Sequence, residues 1–242
     1  MKFDINNPAF MQAAGNTPKA QYFIKMIFSG DNPDLYISAD GSFVVKSIYQ
    51  GELISREYET SARIVIEADA GTTVLFTGMI TGISDDSTQH IPVKFITMST
   101  DSYSYLKYIT LEGELNGFDV LKCTSLISYW LAYAVLKRLS FENCLNLTEL
   151  RISRFSNLEE LDLSKNILLG TDDFKFIGIS LCLKLNKIKA RAVAEGFVNK
   201  IPEILEGCSP TGVLILQTGD PYNTQAAQAA TTKGWTVEYV DA

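Results

Sequence analysis

The chain has 242 residues, 46% of them hydrophobic and 20% charged, with a net charge of −7 at pH 7. This length is enough for a proper core in one large or two modest domains, and the composition excludes a disordered chain. The acidic balance, without any basic run, argues against nucleic acid or an anionic membrane as partner; no apolar run approaches the roughly 18 residues of a spanning helix, so no membrane insertion is expected.

Residues 1–19 are polar and aperiodic, with Pro8, Gly15 and Pro18, and read as a flexible arm. The first 30 residues contain no charged segment followed by an apolar core, so no secretory signal is visible. The texture then changes to short runs rich in β-branched and aromatic residues: Tyr22 to Phe28, Leu35 to Ser38, Phe43 to Ile48, Ala62 to Glu67 and Thr73 to Phe76. Asp40-Gly41 between two of these runs is a strong local hairpin signal. Residues 20–78 are therefore expected to form a small β-sandwich-like cap domain. Its boundary falls near Gly78 to Ser84, and a polar loop occupies 85–92.

From Val93 the sequence repeats. Half-units of the form L-x-x-L-x-L-x-x-N start at Val93, Leu106, Leu115, Leu126, Leu136, Leu147 and Leu158; every second start is separated by 22, 21 and 22 residues. The ninth position distinguishes the two sets. It holds Asp101, Cys123, Cys144 and Asn166 in one, but Ala134 and Phe155 in the other. Small hydrogen-bonding residues at a fixed position predict a ladder that ties inward-turning backbone groups from coil to coil. The expected fold class is thus an α/β solenoid, a right-handed coil with a parallel sheet, spanning 79–242 and preceded by the small all-β domain. Cys123 and Cys144, one strand spacing apart and pointing the same way, are expected to be free buried thiols.

Beyond Asn166 the period lengthens, which leaves room for helical backs in the C-terminal half. Thr171, Asp172 and Asp173 supply a cap and acidic first turn ahead of Phe174, Ile177 and Leu181 at helical spacing. A second helical stretch, 194–206, is expected to break at Pro202. A third spans Asn223 to Thr232, before a final strand from Trp235 to Val240.

The runs "LKRLSFENCLNLTELRIS" and "LEELDLSKN" resemble leucine-rich repeats of the 21-residue kind, found in internalin-like and gut-bacterial surface proteins. The segment "GVLILQTGDPYNTQAAQAATTKGWTVEYV" is similar to the closing part of proteins of that group. The resemblance covers about residues 79–242 and implies a recognition scaffold without naming a ligand. It also implies an extracellular or cell-surface place if a signal was removed; otherwise the protein stays cytoplasmic or leaves by lysis, as a phage-encoded part would.

The sequence nominates no catalytic, cofactor or metal site. The one histidine, His90, lies in the polar loop, and neither C-x-x-C, H-x-x-x-H nor a phosphate-binding glycine loop occurs. What remains is surface. On the ladder strands the outward set is Phe95, Thr97 and Ser99; Gly117, Asp119 and Leu121; Arg138, Ser140 and Glu142; Glu160, Asp162 and Ser164; and Lys187, Lys189 and Arg191. Glu160 and Asp162 beside Lys187 and Lys189 predict cross-strand ion pairs. On the return strands Tyr108, Thr110, Ser128, Trp130, Glu149 and Arg151 face outward. With Tyr103, Tyr105 and Tyr133 nearby, the aromatic residues Tyr103, Tyr105, Tyr108, Trp130 and Tyr133 form the candidate binding surface, although packing against the N-terminal domain would use them equally well. The expected function is a non-enzymatic interaction module that binds a protein or glycan. A structural subunit of a phage tail or other extracellular assembly is the alternative, and a hydrolase the second alternative.

Overall fold

The computed structural model describes residues 22–85, 92–116, 118–171 and 177–241. The arm at 1–19, His90 with most of its loop, Gly117, and Asp172 to Phe174 of the first expected helix lie outside the described residues.

The chain opens with seven strands: β1 (Phe23–Phe28), β2 (Asp34–Ala39), β3 (Phe43–Tyr49), β4 (Glu52–Tyr58), β5 (Ala62–Val65), β6 (Thr73–Thr77) and β7 (Ile80–Ser84). Alternating burial along β1, with Ile24, Met26 and Phe28 inward, is the period-2 pattern of a half-buried strand. Asp40-Gly41 does turn the chain, but it joins no hairpin: β2 pairs with β5 and β7, while β3 pairs with β4 and β6. The hairpin sits at Gln50-Gly51, where consecutive φ values of 51° and 81° close the two-residue turn between β3 and β4. β4 itself escapes a pattern search because it is an exposed edge strand, ELISREY, without an apolar alternation to read.

Next come β8 (Val93–Met98), a short helix α1 (Thr100–Tyr105) capped by the Ser99 hydroxyl, and β9 (Tyr108–Asn116). β9 is the branch point. Its first half pairs in parallel with β7, whereas from Gly113 onward it pairs with β8. β8 in turn lies antiparallel to β1. Gly113 has φ 130°, and a Cβ there would sit 2.1 Å from the Val93 carbonyl oxygen, so only glycine lets the two backbones cross this closely.

Beyond the branch, β10 (Ser128–Ala132), β12 (Glu149–Ser153) and β14 (Ile177–Ser180) extend the first half of β9 in parallel register, with Trp130 opposite both Thr110 and Arg151. The intervening strands β11 (Arg138–Ser140) and β13 (Glu160–Asp162), followed by β15 (Lys187–Ala190), β16 (Val213–Gln217) and β17 (Thr236–Val240), form a second, wholly parallel sheet. Leu139, Leu161, Ile188 and Leu214 align across it and are buried, as the repeat register predicts. Helices α2 (Glu195–Glu206) and α3 (Asn223–Thr232) fill the longer C-terminal connections.

The expected fold class is corrected by this pairing. The described strands make a branched mixed sheet of twelve strands and a separate parallel sheet of five, with few helices, and they do not close into a solenoid preceded by a separate all-β domain. The physical reason lies in the edges. β7 and β8 carry unpaired backbone edges that β2 and β1 satisfy, so the N-terminal strands are hydrogen-bonded into the same sheet as the return strands, and one apolar core runs from Ile24 to Trp235. The same pairing withdraws the Val93 unit from the ladder. Asp101 sits in α1, and Val120–Lys122 is a 3-10 turn capped by the Asp119 carboxylate, not a strand.

Two helix expectations also change. Ile177–Ser180 is a strand, because Ile177 and Ile179 gain parallel partners in Leu150 and Ile152. α2 runs through Pro202, its apolar face of Phe197, Val198, Ile201, Ile204 and Leu205 being held in the core.

Candidate binding surface

Antiparallel register through β5, β2 and β7 and parallel register from β7 to β12 carry one row of outward side chains across the mixed sheet. Starting in β5, the row reads Arg63, Tyr36, Ser84, Thr110, Trp130 and Arg151. The alternate residues of the same strands, Ile64, Ile37, Ile83, Ile109, Tyr129 and Ile152, are buried. A solvated face results, with Tyr36 41%, Tyr108 46% and Trp130 44% exposed. Its cations are engaged: Arg63 bonds Asp34 at 2.9 Å, and the Arg151 guanidinium lies 4.6 Å from the Trp130 ring centroid and 4.0 Å from Glu149.

At the end of each rung the chain turns through a left-handed residue that is not glycine. Tyr133, Arg154 and Leu181 follow β10, β12 and β14 with φ values of 64°, 57° and 54°. The first two amides are held by the neighbouring rung, Tyr133 donating to the Ser153 carbonyl and Arg154 to the Ser180 carbonyl. Such conformations cost on the order of 1 kcal/mol or more each and persist only where the surroundings enforce them. The Arg154 guanidinium donates to the Tyr133 hydroxyl at 2.6 Å and stacks on its ring. Tyr133 also borders a cleft of about 380 Å³ lined by Ser29, Pro92, Val93, Lys94, Glu112 and Gly113.

The five aromatic residues nominated from sequence therefore divide. Tyr108, Trp130 and Tyr133 are half-exposed on this face. Tyr103 is buried, its hydroxyl accepting the Asp119 N–H, and burial pushes its pKa up. Tyr105 packs edge-on against Tyr22, with ring centroids 5.1 Å apart. Helix α1 is what removes them, since its turn rotates Tyr103 and Tyr105 off the strand face. Sequence reasoning missed Tyr36, whose place beside Ser84 depends on the long-range pairing of β2 with β7.

The second sheet presents a different surface. Glu160 meets Arg138 at 3.6 Å, Lys187 at 3.2 Å and Lys189 at 3.3 Å, and Asp162 meets Lys189 at 3.0 Å. Burial alone would raise both carboxyls. The lysines around Glu160, and Ser164 with Lys189 around Asp162, outweigh it and hold both pKa values below the usual carboxylate range. The expected self-neutralising face is present. A cleft of about 260 Å³ at its C-terminal end is lined by Asp162, Ser164, Lys165, Lys189, Gln217 and Val240.

Cys123, Cys144, Cys182 and Cys208 are all unpaired and buried. Burial pushes the Cys144 thiol up to about 12 and Cys123 and Cys208 higher still. The ladder is real where the second sheet exists: Asn166 donates to the Phe141 and Cys144 carbonyls at 3.0 and 2.8 Å, and the Cys144 thiol reaches the Val120 carbonyl at 3.3 Å. Among the described residues no three His, Cys, Asp or Glu side chains come together in a metal-binding group, and no helix is long and apolar enough to cross a membrane.

No family model matches the chain, and neither a curated protein nor a solved structure matches it.

Proposed function

We propose that the protein is a non-enzymatic interaction module that binds a protein or glycan on the outer face of its mixed sheet. The observation that carries this reading is the group of half-exposed aromatic side chains on one sheet face, Tyr108 and Trp130 on the paired strands β9 and β10, and Tyr36 on β2 with β7 between. Large amphipathic rings that lose little entropy on binding are costly to leave in water and are the usual anchors of recognition surfaces. The Arg151 guanidinium braces Trp130, and the left-handed turn at Tyr133 extends the face, so both rings are held before a partner arrives. Screening the protein against protein and glycan arrays, with Trp130→Ala in parallel, tests the proposal. The substitution is expected to weaken the partner by about 2 kcal/mol or more while the melting temperature stays nearly unchanged. A large drop in melting temperature with no selective loss of binding refutes it.

A structural subunit of a larger assembly is the second reading, favoured by the last strand. β17 closes the parallel sheet with Tyr239 and Val240 each 50% exposed, and among the described residues no strand pairs with its outer edge. Sedimentation over a range of concentrations separates it from the first: assembly that Tyr239→Lys abolishes would favour the subunit.

A further inference from the structure

We infer that the sheet face holds a neutral carbohydrate chain in a trough between Trp130 and Tyr36, an inference that rests on reading this face as a binding surface. The two rings belong to one cross-strand row, with Ser84 and Thr110 between them. Three strand spacings set their Cα atoms about 14 Å apart. The floor is therefore two small hydroxyl residues wide and the walls are aromatic. In the adjacent row Gly82 lies between Ser38 and Tyr108, and a Cβ there would come within 3.2 Å of both side chains. Arg151 braces Trp130 from β12, the strand on the opposite side of β10 from Thr110 and Tyr36.

The chemistry of these surfaces selects the ligand. A pyranose ring has an apolar C–H face that stacks on an aromatic ring and a rim of hydroxyls that need hydrogen-bonding partners. The trough supplies both, with Ser84, Thr110 and Ser128 on or beside its floor and the Glu149 carboxylate, bonded to Ser128 at 2.8 Å, at its margin. The charge pattern argues for neutrality. Arg63 is occupied by Asp34, Arg151 by Trp130 and Glu149, and Arg154 by Tyr133, so an anionic ligand would have to displace existing partners. A polypeptide added as an extra strand is a poorer fit, because that mode needs a free strand edge and the strands under this face are paired on both sides.

Intrinsic fluorescence reads the site directly. The chain has 2 tryptophans. Trp235 is 2% exposed with its indole N–H on the Ser209 carbonyl, so a sugar-induced change reports Trp130. The full chain would be titrated with neutral hexasaccharides drawn from a broad glycan array, using an oligogalacturonate and a mixed dodecapeptide pool as controls. A saturable shift with at least one neutral sugar is expected. By calorimetry, Tyr36→Ala and Trp130→Ala should each weaken it at least tenfold. Ser84→Phe should fill the floor and abolish binding, and the melting temperature of each variant should stay within a few degrees. Absence of any neutral-sugar binding, or binding that survives both Tyr36→Ala and Ser84→Phe, overturns the inference. If only peptides or anionic oligomers bind, and Trp130→Ala removes them, the trough proposal fails while the binding-surface reading stands. If Trp130→Ala leaves every bound ligand unaffected, both fail.

Discussion

The two sheets of this molecule share a parallel rung geometry, yet their outward rows carry opposite chemistry. Across the mixed sheet one row reads Tyr36, Ser84, Thr110 and Trp130; across the five-stranded sheet the corresponding row reads Arg138, Glu160, Lys187 and Val213. In that second row each charge finds a neighbour of opposite sign one strand away, so a partner would gain little there that the surface does not already have. On the first, rings stand beside hydroxyls, each aromatic residue still 41 to 46% exposed. Interaction potential in a sheet of this kind follows from what its neighbouring strands leave unsatisfied, not from how much charge it displays.

The comparison can be broken most severely at the point that joins its halves. Gly113→Ala places a methyl group 2.1 Å from the Val93 carbonyl oxygen at φ 130°, and the backbone crossing cannot be kept. Strain of this kind and overpacking together should cost roughly 3 to 5 kcal/mol, measured by chemical denaturation. A stability change under 1 kcal/mol would mean that β9 does not branch as described. Next in size, Leu161→Ala removes a fully buried side chain beneath the ionic face and should cost roughly 2 to 5 kcal/mol; because the core is continuous, one cooperative transition should shift, not two.

Trp130→Ala sharpens the contrast from the other side, with its expected loss falling on binding and not on melting. Glu160 gives the smallest effect. Its folded pKa lies below the reference value of 4.5, so the stabilisation it supplies is complete above that pH and is lost as the pH falls through the lower, folded value. Glu160→Gln should therefore make stability less pH-dependent below about 4.5 and change it by under about 1 kcal/mol at pH 7. An unchanged acid limb would show that the lysines around Glu160 are not ordered in solution.

What could be read from sequence divides along the same line. The periodicity from Leu136 onward predicted the neighbours Leu139, Leu161 and Ile188, the inward ladder residues Cys144 and Asn166, and the ionic pairs of Glu160, because each of these depends on residues one repeat apart. The outward orientation of Tyr108 and Trp130 was legible for the same reason. Nothing local announces that β1 will pair with β8, or that β2 will pair with β7 and so place Tyr36 opposite Ser84. Asp40-Gly41 misled because a turn sequence specifies a reversal and not which strands pair afterwards. Ile177–Ser180 misled because its apolar spacing fits a helix until β12 offers a partner.

The strand pairing also fixes an order of events as the chain leaves the ribosome. β13 and β15 find their parallel partner in the strand of the preceding repeat, already synthesised, and can be added one rung at a time. β1 and β2 have no such neighbour: β1 waits for β6 and β8, and β2 for β5 and β7. Until residue 98 has emerged the nascent chain therefore carries apolar strands with open edges, the segment of its synthesis in which a chaperone would be most needed.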